Sequence, residues 1–491
     1  MAARTGEQFL AGLRSRPREI WVDGERIGDV TAHPKLAGAA RSLASIFDRQ
    51  HAYPDECLVP DPETGEQIGI SHMFPRSRDD LRCRHAGLTR LSEGTVGLMG
   101  RTPDYMNMKF SGFASAPWVW AGADGRNRSG ADNLVAYQKR LARDDVSLTH
   151  TIIQPTVDKR TDSAILGNEV TIRKVGESVD GIVVRGARVL ATLAPFADET
   201  TVYPALPIPA GADAYALAFA IPLDTPGLKF LCRDSASAAG ADAFDRPLSS
   251  RFDEQDAFCI FDDVIVPHDR VFIDGDVDIY NSIGDTGFAI HMTTQSTTRA
   301  LTKLEFAYGL ATRMAEMIGD HSPATNDLLG ELACYVQVTR NALELSIEHG
   351  WRRERDGMWF PNGPALEPMR ALLATWMPRV AEIVTLIGSH NLLTTPTRAQ
   401  LDDAELRPLI DETLHGADGT SAEDRAAVFR MAWDFVGSGL AGRGFLYERF
   451  YLTSATRNRQ RLHVAGFDRT RANRLVDQML DLARTDPRPA G

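Results

Sequence analysis

Cysteine is scarce in this chain. Five are spread over 491 residues, at positions 57, 83, 232, 259 and 334, an odd number with no paired spacing. That pattern excludes a disulfide framework and reads as reduced thiols. Cys83 and His85 are the one close Cys/His pair, with no second pair to complete a ligand set, so no metal site is expected. Long apolar runs are missing as well, and no stretch reads as a bilayer span. The first residues lack the apolar segment and cleavage site of a secretory signal; Thr5 and Gln8 instead read as a capping box opening a helix. The expectation is a cytoplasmic protein with no membrane association. Positive charge is also short, with 54 Lys and Arg against 66 Asp and Glu, a formal net charge of -12 and no basic run. Such a chain repels nucleic acid, which is not expected as a partner. Neither the G-x-x-x-x-G-K-S/T phosphate loop nor the G-x-S-x-G nucleophile elbow occurs.

What is present divides the chain by period. Residues 1–147 are mixed and mostly helical, with helices expected around Asp79 to Arg90 and Asn133 to Arg143. Residues 148–278 carry short β-branched or aromatic runs bounded by Gly, Asp and Pro. These are Val170 to Val175, Gly181 to Arg185, Ala214 to Ile221 and Ala257 to Phe261, and Val264 to His268 closes the region. Close spacing of short strands suggests a barrel or sandwich. Residues 279–491 return to helical period. Leu301, Leu304, Tyr308, Ala311 and Ile318 make one stripe, Leu329 to Ile347 a second opened by Ser322-Pro323, and Leu373 to Ile387 a third. Glu423 to Val436 and Arg471 to Ala483 add two more helices, and long amphipathic helices with short links predict a bundle. The fold class is therefore α+β, mainly α. The Pro-rich stretch Tyr203 to Pro209 reads as a lid or a plain rigid surface loop.

Gly437-Ser-Gly439-Leu-Ala-Gly442 matches G-x-G-x-x-G, but a dinucleotide fingerprint follows a strand, and Ala426 to Val436 is helical in period. A Rossmann site is rejected. Gly-rich backbone followed by Arg443 still suits phosphates, and a helix C-cap with close packing suits it equally.

Arg101-Thr-Pro-Asp-Tyr105 and the His150 segment set a guanidinium, a phenol and an imidazole in two turn-punctuated stretches. A free phenol has a pKa of about 10 and is protonated at neutral pH. An imidazole can take its proton, a guanidinium can hold the oxyanion and a tyrosine hydroxyl can add a hydrogen bond. That trio suits activation of a phenol ring toward an electrophilic oxidant. Structural duties fit the residues too: Arg101 as an ion-pair partner, Tyr105 as packing, His150 as a strand-edge polar group.

Ordered blocks along the whole chain resemble the 4-hydroxyphenylacetate 3-hydroxylase and chlorophenol monooxygenase family, the oxygenase components of two-component flavin monooxygenases. They are Glu19 to Pro34, Met99 to Tyr105, His150 with Ile-Gln-Pro and Val-Asp following, Gly186 to Thr192, Pro247 to Glu254, and Trp433 to Arg443 with Leu446-Tyr-Glu448. The resemblance implies an acyl-CoA-dehydrogenase-like architecture: a helical N-domain, a middle β-barrel and a C-terminal helical bundle, assembled as a homotetramer. It implies FAD, used as FADH2 from a separate NAD(P)H:flavin reductase, and O2, which forms a C4a-hydroperoxyflavin that hydroxylates a phenol ortho to its hydroxyl. By the same resemblance Arg101, Tyr105 and His150 are catalytic, and Gln154, Thr156, Thr192 and Arg443 contact the flavin. Leu193 to Glu199 and the Pro-rich loop replace the family's substrate segment, which points to a simple, halogenated or natural-product phenol. Three alternatives stand beside this reading. A 4-hydroxybutyryl-CoA dehydratase needs iron–sulfur ligands, yet the Arg101 block and the stretch after His291 hold no cysteine. An acyl-CoA dehydrogenase would use a Glu base, and a non-catalytic helical scaffold would not require the trio.

Overall fold

The computed structural model describes residues 3–158, 160, 165–237 and 242–485. The capping box forms as expected: the Thr5 hydroxyl accepts from the Gln8 N–H, the Gln8 side chain accepts from the Thr5 N–H, and helix Gly6–Ser15 follows. The two other helices expected near the start run slightly longer, as Arg78–Glu93 and Arg128–Asp144. Between them lies Pro103–Ala114, a helix with all twelve residues buried. Its proline sits in the first turn, where no backbone donor is lost, and Met106, Phe110 and Phe113 share one apolar face. Asp104, Asn107, Lys109 and Ser111 are buried with them, so the helix lies in the middle of the molecule, and it packs against the first bundle helix.

The strand region differs in detail from its sequence pattern. The strand expected at Val170 begins at Arg173 and runs to Glu177, while the Gly181 strand runs on to Thr192. The stretch from Ala214 opens as a helical turn and becomes a strand at Leu217–Pro222. The segments expected at Ala257 to Phe261 and Val264 to His268 form one strand, Asp256–Pro267, because an irregularity between Phe261 and Val264 lets it bend and keep pairing. Val271–Asp274 adds one more strand.

Six strands form one sheet in the lateral order Glu25–Arg26, Ile20–Val22, Leu228–Cys232, Asp256–Pro267, Gly181–Thr192, Arg173–Glu177. Four form a second: Val271–Asp274, Leu217–Pro222, Glu199–Val202, Leu148–His150. Ile182, Val184, Val264 and Val266 of the first share one apolar core with Val202, Phe219 and Ile221 of the second.

The bundle follows. Phe288–Met317, Pro323–Glu348 with Ser322 as its N-cap, Met369–Gly388, Ala422–Val436 and Gly439–Phe450 are its main helices. Tyr308 does not join the core stripe and is 39% exposed. The buried row steps from Leu304 to Ala307 and Ala311, which turns Tyr308 outward. One stretch, Gly363–Gly388, does reach spanning length and hydropathy, contrary to expectation. It is a bundle helix whose apolar positions, including Leu373, Val380, Ile383 and Ile387, lie in the core. Helix Thr470–Thr485 is exposed along its whole length.

The G-x-G-x-x-G stretch joins two helices. Gly437 ends the first, and a Cβ there would meet the Trp433 ring at 2.4 Å. Ser438 caps the second through the Ala441 N–H. Close packing accounts for the first glycine, and no strand precedes the motif.

Candidate active site

Two parallel strands end side by side in the four-stranded sheet. His150 closes one, opposite Thr201, and Tyr203 follows the end of the other. Both rings leave the same sheet edge, with centroids 5.8 Å apart. The buried helix Pro103–Ala114 brings Tyr105 to within 5.6 Å of the His150 ring. Arg101, just ahead of that helix, lays its guanidinium 3.9 Å over the Tyr105 ring. The structure thus brings Arg101, Tyr105 and His150 together, and all three are buried.

Arg101 is held from several sides. Its Nη1 donates to the Tyr447 hydroxyl at 2.7 Å, its Nη2 to the Tyr451 carbonyl at 3.4 Å, and its backbone N–H to Glu254. Gly100 makes this possible, since a Cβ there would overlap the Tyr447 hydroxyl. Lys109, one helical turn beyond Tyr105, is a member of the site that sequence reasoning missed. Its Nζ donates to the Tyr203 hydroxyl at 2.6 Å. A lysine in a strongly apolar helix, four residues from a candidate tyrosine, was the available signal.

These cations set the protonation of the cluster. Burial, then Lys109 and Arg101, hold His150 well below the usual imidazole value, so it is neutral at neutral pH. Burial raises Tyr105, but the charges of Arg101 and Lys109 outweigh it and leave the phenol below its ordinary range. Burial lowers Lys109, against an opposing pull from Tyr105.

Thr192 and Arg443 meet through Asp256. The Thr192 hydroxyl donates to it at 2.7 Å, and Arg443 grips it with Nε at 2.9 Å and Nη2 at 3.0 Å. Arg443 Nη1 also donates to Glu254 at 2.7 Å, and Glu254 accepts from the Arg101 backbone, so this network abuts the trio. Gln154 and Thr156 lie on the segment leaving His150, half-buried and exposed. Among the described residues neither shares a hydrogen bond with the network.

Two further guanidiniums, Arg188 buried and Arg370 half-buried, have no salt-bridge partner among the described residues. Arg188 donates to the Ile152 carbonyl at 3.1 Å and Arg370 to the Leu452 carbonyl at 3.4 Å, and the Nε of each is unpartnered. Buried cations with spare donors fit an anionic dinucleotide such as FAD. His291, by contrast, is bonded to Arg84 at 2.8 Å, and no cluster of three or more His, Cys, Asp or Glu able to hold a metal occurs among the described residues.

Helices around paired sheets, with a guanidinium–phenol–imidazole cluster where helix and sheet edge meet, make this an acyl-CoA-dehydrogenase-like fold. Sequence profiles for the N-terminal and C-terminal parts of 4-hydroxyphenylacetate 3-hydroxylase match residues 5–273 and 281–481. The chain belongs to that family. It is 36% identical over 464 residues to the 4-hydroxyphenylacetate 3-monooxygenase oxygenase component of Thermus thermophilus, covering 94% of each. It is 32% identical to the oxygenase component of 4-nitrophenol 2-monooxygenase from a Rhodococcus species, covering 91% of this chain and 85% of that one. A crystal structure of a 4-hydroxyphenylacetate 3-monooxygenase oxygenase component, complexed with FAD and 4-hydroxyphenylacetate, superposes with a TM-score of 0.90 at 33% identity, covering 98% and 99% of the two chains. An archaeal 4-hydroxybutyryl-CoA dehydratase from N. maritimus shares the fold, with a TM-score of 0.87 at 16% identity over 100% of this chain and 96% of that one.

Proposed function

We propose that this chain is the oxygenase component of a two-component flavin monooxygenase, hydroxylating a phenol ortho to its hydroxyl. The observation that carries this is the buried meeting of Arg101, Tyr105 and His150 in a member of this family. Neutral His150 accepts the phenol proton at a ring nitrogen. Arg101 and the Tyr105 hydroxyl hold the resulting phenolate oxygen, and burial excludes the water that would compete for those donors. Thr192 and Arg443, framed by Asp256 and Glu254, would hold the flavin together with Arg188, Arg370, Gln154 and Thr156. Reduced FAD, when bound, supplies the electrons that activate O2 for transfer of one oxygen atom to the ring. A separate NAD(P)H:flavin reductase delivers it.

The substrate reading is a compact phenol, simple or halogenated, rather than 4-hydroxyphenylacetate. Neither Leu193–Asp198 nor the loop from Tyr203 to Pro209 offers a Ser or Thr hydroxyl for that acid's carboxylate. The working form is a cytoplasmic homotetramer; Leu475, Val476, Met479 and Leu482 on the exposed final helix give other copies an apolar face to cover. The units of the chain are residues 1–147, 148–278 and 279–491.

Anaerobic mixing with reduced FAD and a panel of phenols, followed by oxygen and product analysis, tests the reading. Catechol-type products should form, and NADH should not be consumed by the chain alone. NADH oxidation without a reductase, or peroxide with every phenol and no hydroxylated product, overturns it.

A further inference from the structure

Lys109 is a buried ammonium, 4% exposed, on the central helix. It donates to the Tyr203 hydroxyl at 2.6 Å and also interacts with the Tyr105 hydroxyl, and it has no carboxylate partner among the described residues. The Tyr105 hydroxyl is a second hydrogen-bonding neighbour of the Nζ, so of the ammonium's three donors one remains for another acceptor. Leaving such a charge without a carboxylate is costly unless something else completes it. Around the Nζ are aromatic faces: the Tyr203 ring centroid at 4.3 Å and those of Tyr105 and Phe288 at 5.3 Å each. These faces stabilise a cation and leave its remaining donor unused. Lys303 differs in the kind of partner: its Nζ meets the Glu448 carboxylate at 2.9 Å, where Lys109 meets only phenol hydroxyls.

We propose that Lys109 is a specificity-determining residue, which receives a carboxylate attached directly to the ring of the phenolic substrate. This rests on the phenol-hydroxylase reading of the site. Arg101 and Lys109 flank the same Tyr105 ring, at 3.9 and 5.3 Å from its centroid, so both cations stand beside the side chain assigned to the phenol oxygen. A single ring carrying a hydroxyl and a carboxylate presents two oxygen groups at that scale. The Pro-rich loop after Tyr203 adds no second donor, since Ala205, Leu206, Pro207, Ile208 and Pro209 have none in their side chains. It is also pinned in place: the Ile208 N–H donates to Asn281 Oδ1 at 2.9 Å, and Asn281 Nδ2 returns a bond to the Ile208 carbonyl at 2.9 Å. The substituent is therefore read by Lys109 and not by the loop.

The test compares substrates that differ only in charge: 3- and 4-hydroxybenzoate against 3- and 4-hydroxybenzamide, with 4-chlorophenol as a neutral phenol, in the full chain supplied with reduced FAD and oxygen. The acid of at least one pair should show kcat/KM about tenfold or more above its amide, the scale expected for completing a buried charge pair. In Lys109→Met and Lys109→Gln that acid-to-amide ratio should fall toward one, whatever happens to absolute turnover. An acid-to-amide ratio near one in the wild-type enzyme, or an unchanged ratio in both variants, overturns the proposal. The wild-type comparison decides even if a variant does not fold. Turnover of 4-chlorophenol with refusal of every acid also overturns it and leaves the hydroxylase reading intact. Failure to hydroxylate any phenol removes that reading itself.

Discussion

On one side of the Tyr447 and Tyr451 rings, which stack at 4.8 Å, Arg299 and Lys303 share Glu448. The carboxylate accepts from Arg299 at 2.7 and 3.0 Å and from Lys303 at 2.9 Å, all deeply buried. Around Tyr105, Arg101 and Lys109 are also buried, and neither guanidinium nor ammonium forms a salt bridge among the described residues. The first group joins the first bundle helix to the helix carrying Glu448. The second lies beside a phenol and an imidazole with no carboxylate in direct contact with its charged ends among the described residues. Matched cations fix helices; unmatched ones await an anion from outside.

The sharpest way to break this comparison is on the unmatched side. His150→Ala should reduce product formation by about 10²- to 10⁴-fold, the usual cost of losing a positioned base. Reduced-FAD binding and its reaction with oxygen should persist, with hydrogen peroxide released in place of hydroxylated product. Near wild-type product yield would make His150 a structural residue.

On the matched side the same kind of cut should act on stability. Glu448→Ala leaves Arg299 and Lys303 buried together without their acid, which costs about 3–5 kcal/mol. Urea unfolding should read that loss directly. The Glu448 carboxyl, which burial raises but Arg299 and Lys303 pull down to about 2, adds a pH signature. Its contribution is complete above its unfolded pKa of about 4.3 and is lost as pH falls toward 2. The variant should lack that part of the acid sensitivity. An unchanged unfolding midpoint would mean that packing alone holds the two helices.

A smaller effect is expected at the phenol between the two sides. Tyr105→Phe removes one hydrogen-bonding hydroxyl, about 1 kcal/mol or roughly fivefold, and keeps the ring on which Arg101 stacks. More peroxide per product is the expected readout; coupling equal to wild type would limit Tyr105 to packing.

The trio was legible because Arg-Thr-Pro-Asp-Tyr and the His150 segment each carry turn and strand punctuation. Helix positions were legible wherever apolar period was strong, as at Pro323–Glu348. Lys109 was not, because a lysine in an apolar run looks like a stray surface residue until the helix is seen to be buried on every side. Arg188 and Arg370 were hidden for a related reason: a missing partner is a property of three dimensions. Arg443 was marked from its Gly-rich context, while its engagement with Asp256 and Glu254, some 190 residues away, depends on how the sheet edge meets the bundle. The expected Ala257 to Phe261 and Val264 to His268 segments proved to be one strand, because the irregularity between Phe261 and Val264 is a backbone feature that side-chain alternation does not record.

The gentlest test asks for no change where an ordinary histidine would give one. Burial, with Lys109 and Arg101 behind it, places His150 well below its usual value. The neutral ring is the proton-accepting form, and a lowered pKa keeps it neutral as pH falls through about 6.5, where a free imidazole would charge. Product per reduced FAD should therefore stay level from about pH 8 to about pH 6 and fall only further into acid. Lys109→Met removes one of the two cations acting on the ring, so its acid limb should move to higher pH. Measuring coupling across this range in both proteins checks the sign twice. Half-loss near pH 6.5 in the wild type, unmoved by the substitution, would show that the unmatched charges do not govern the imidazole.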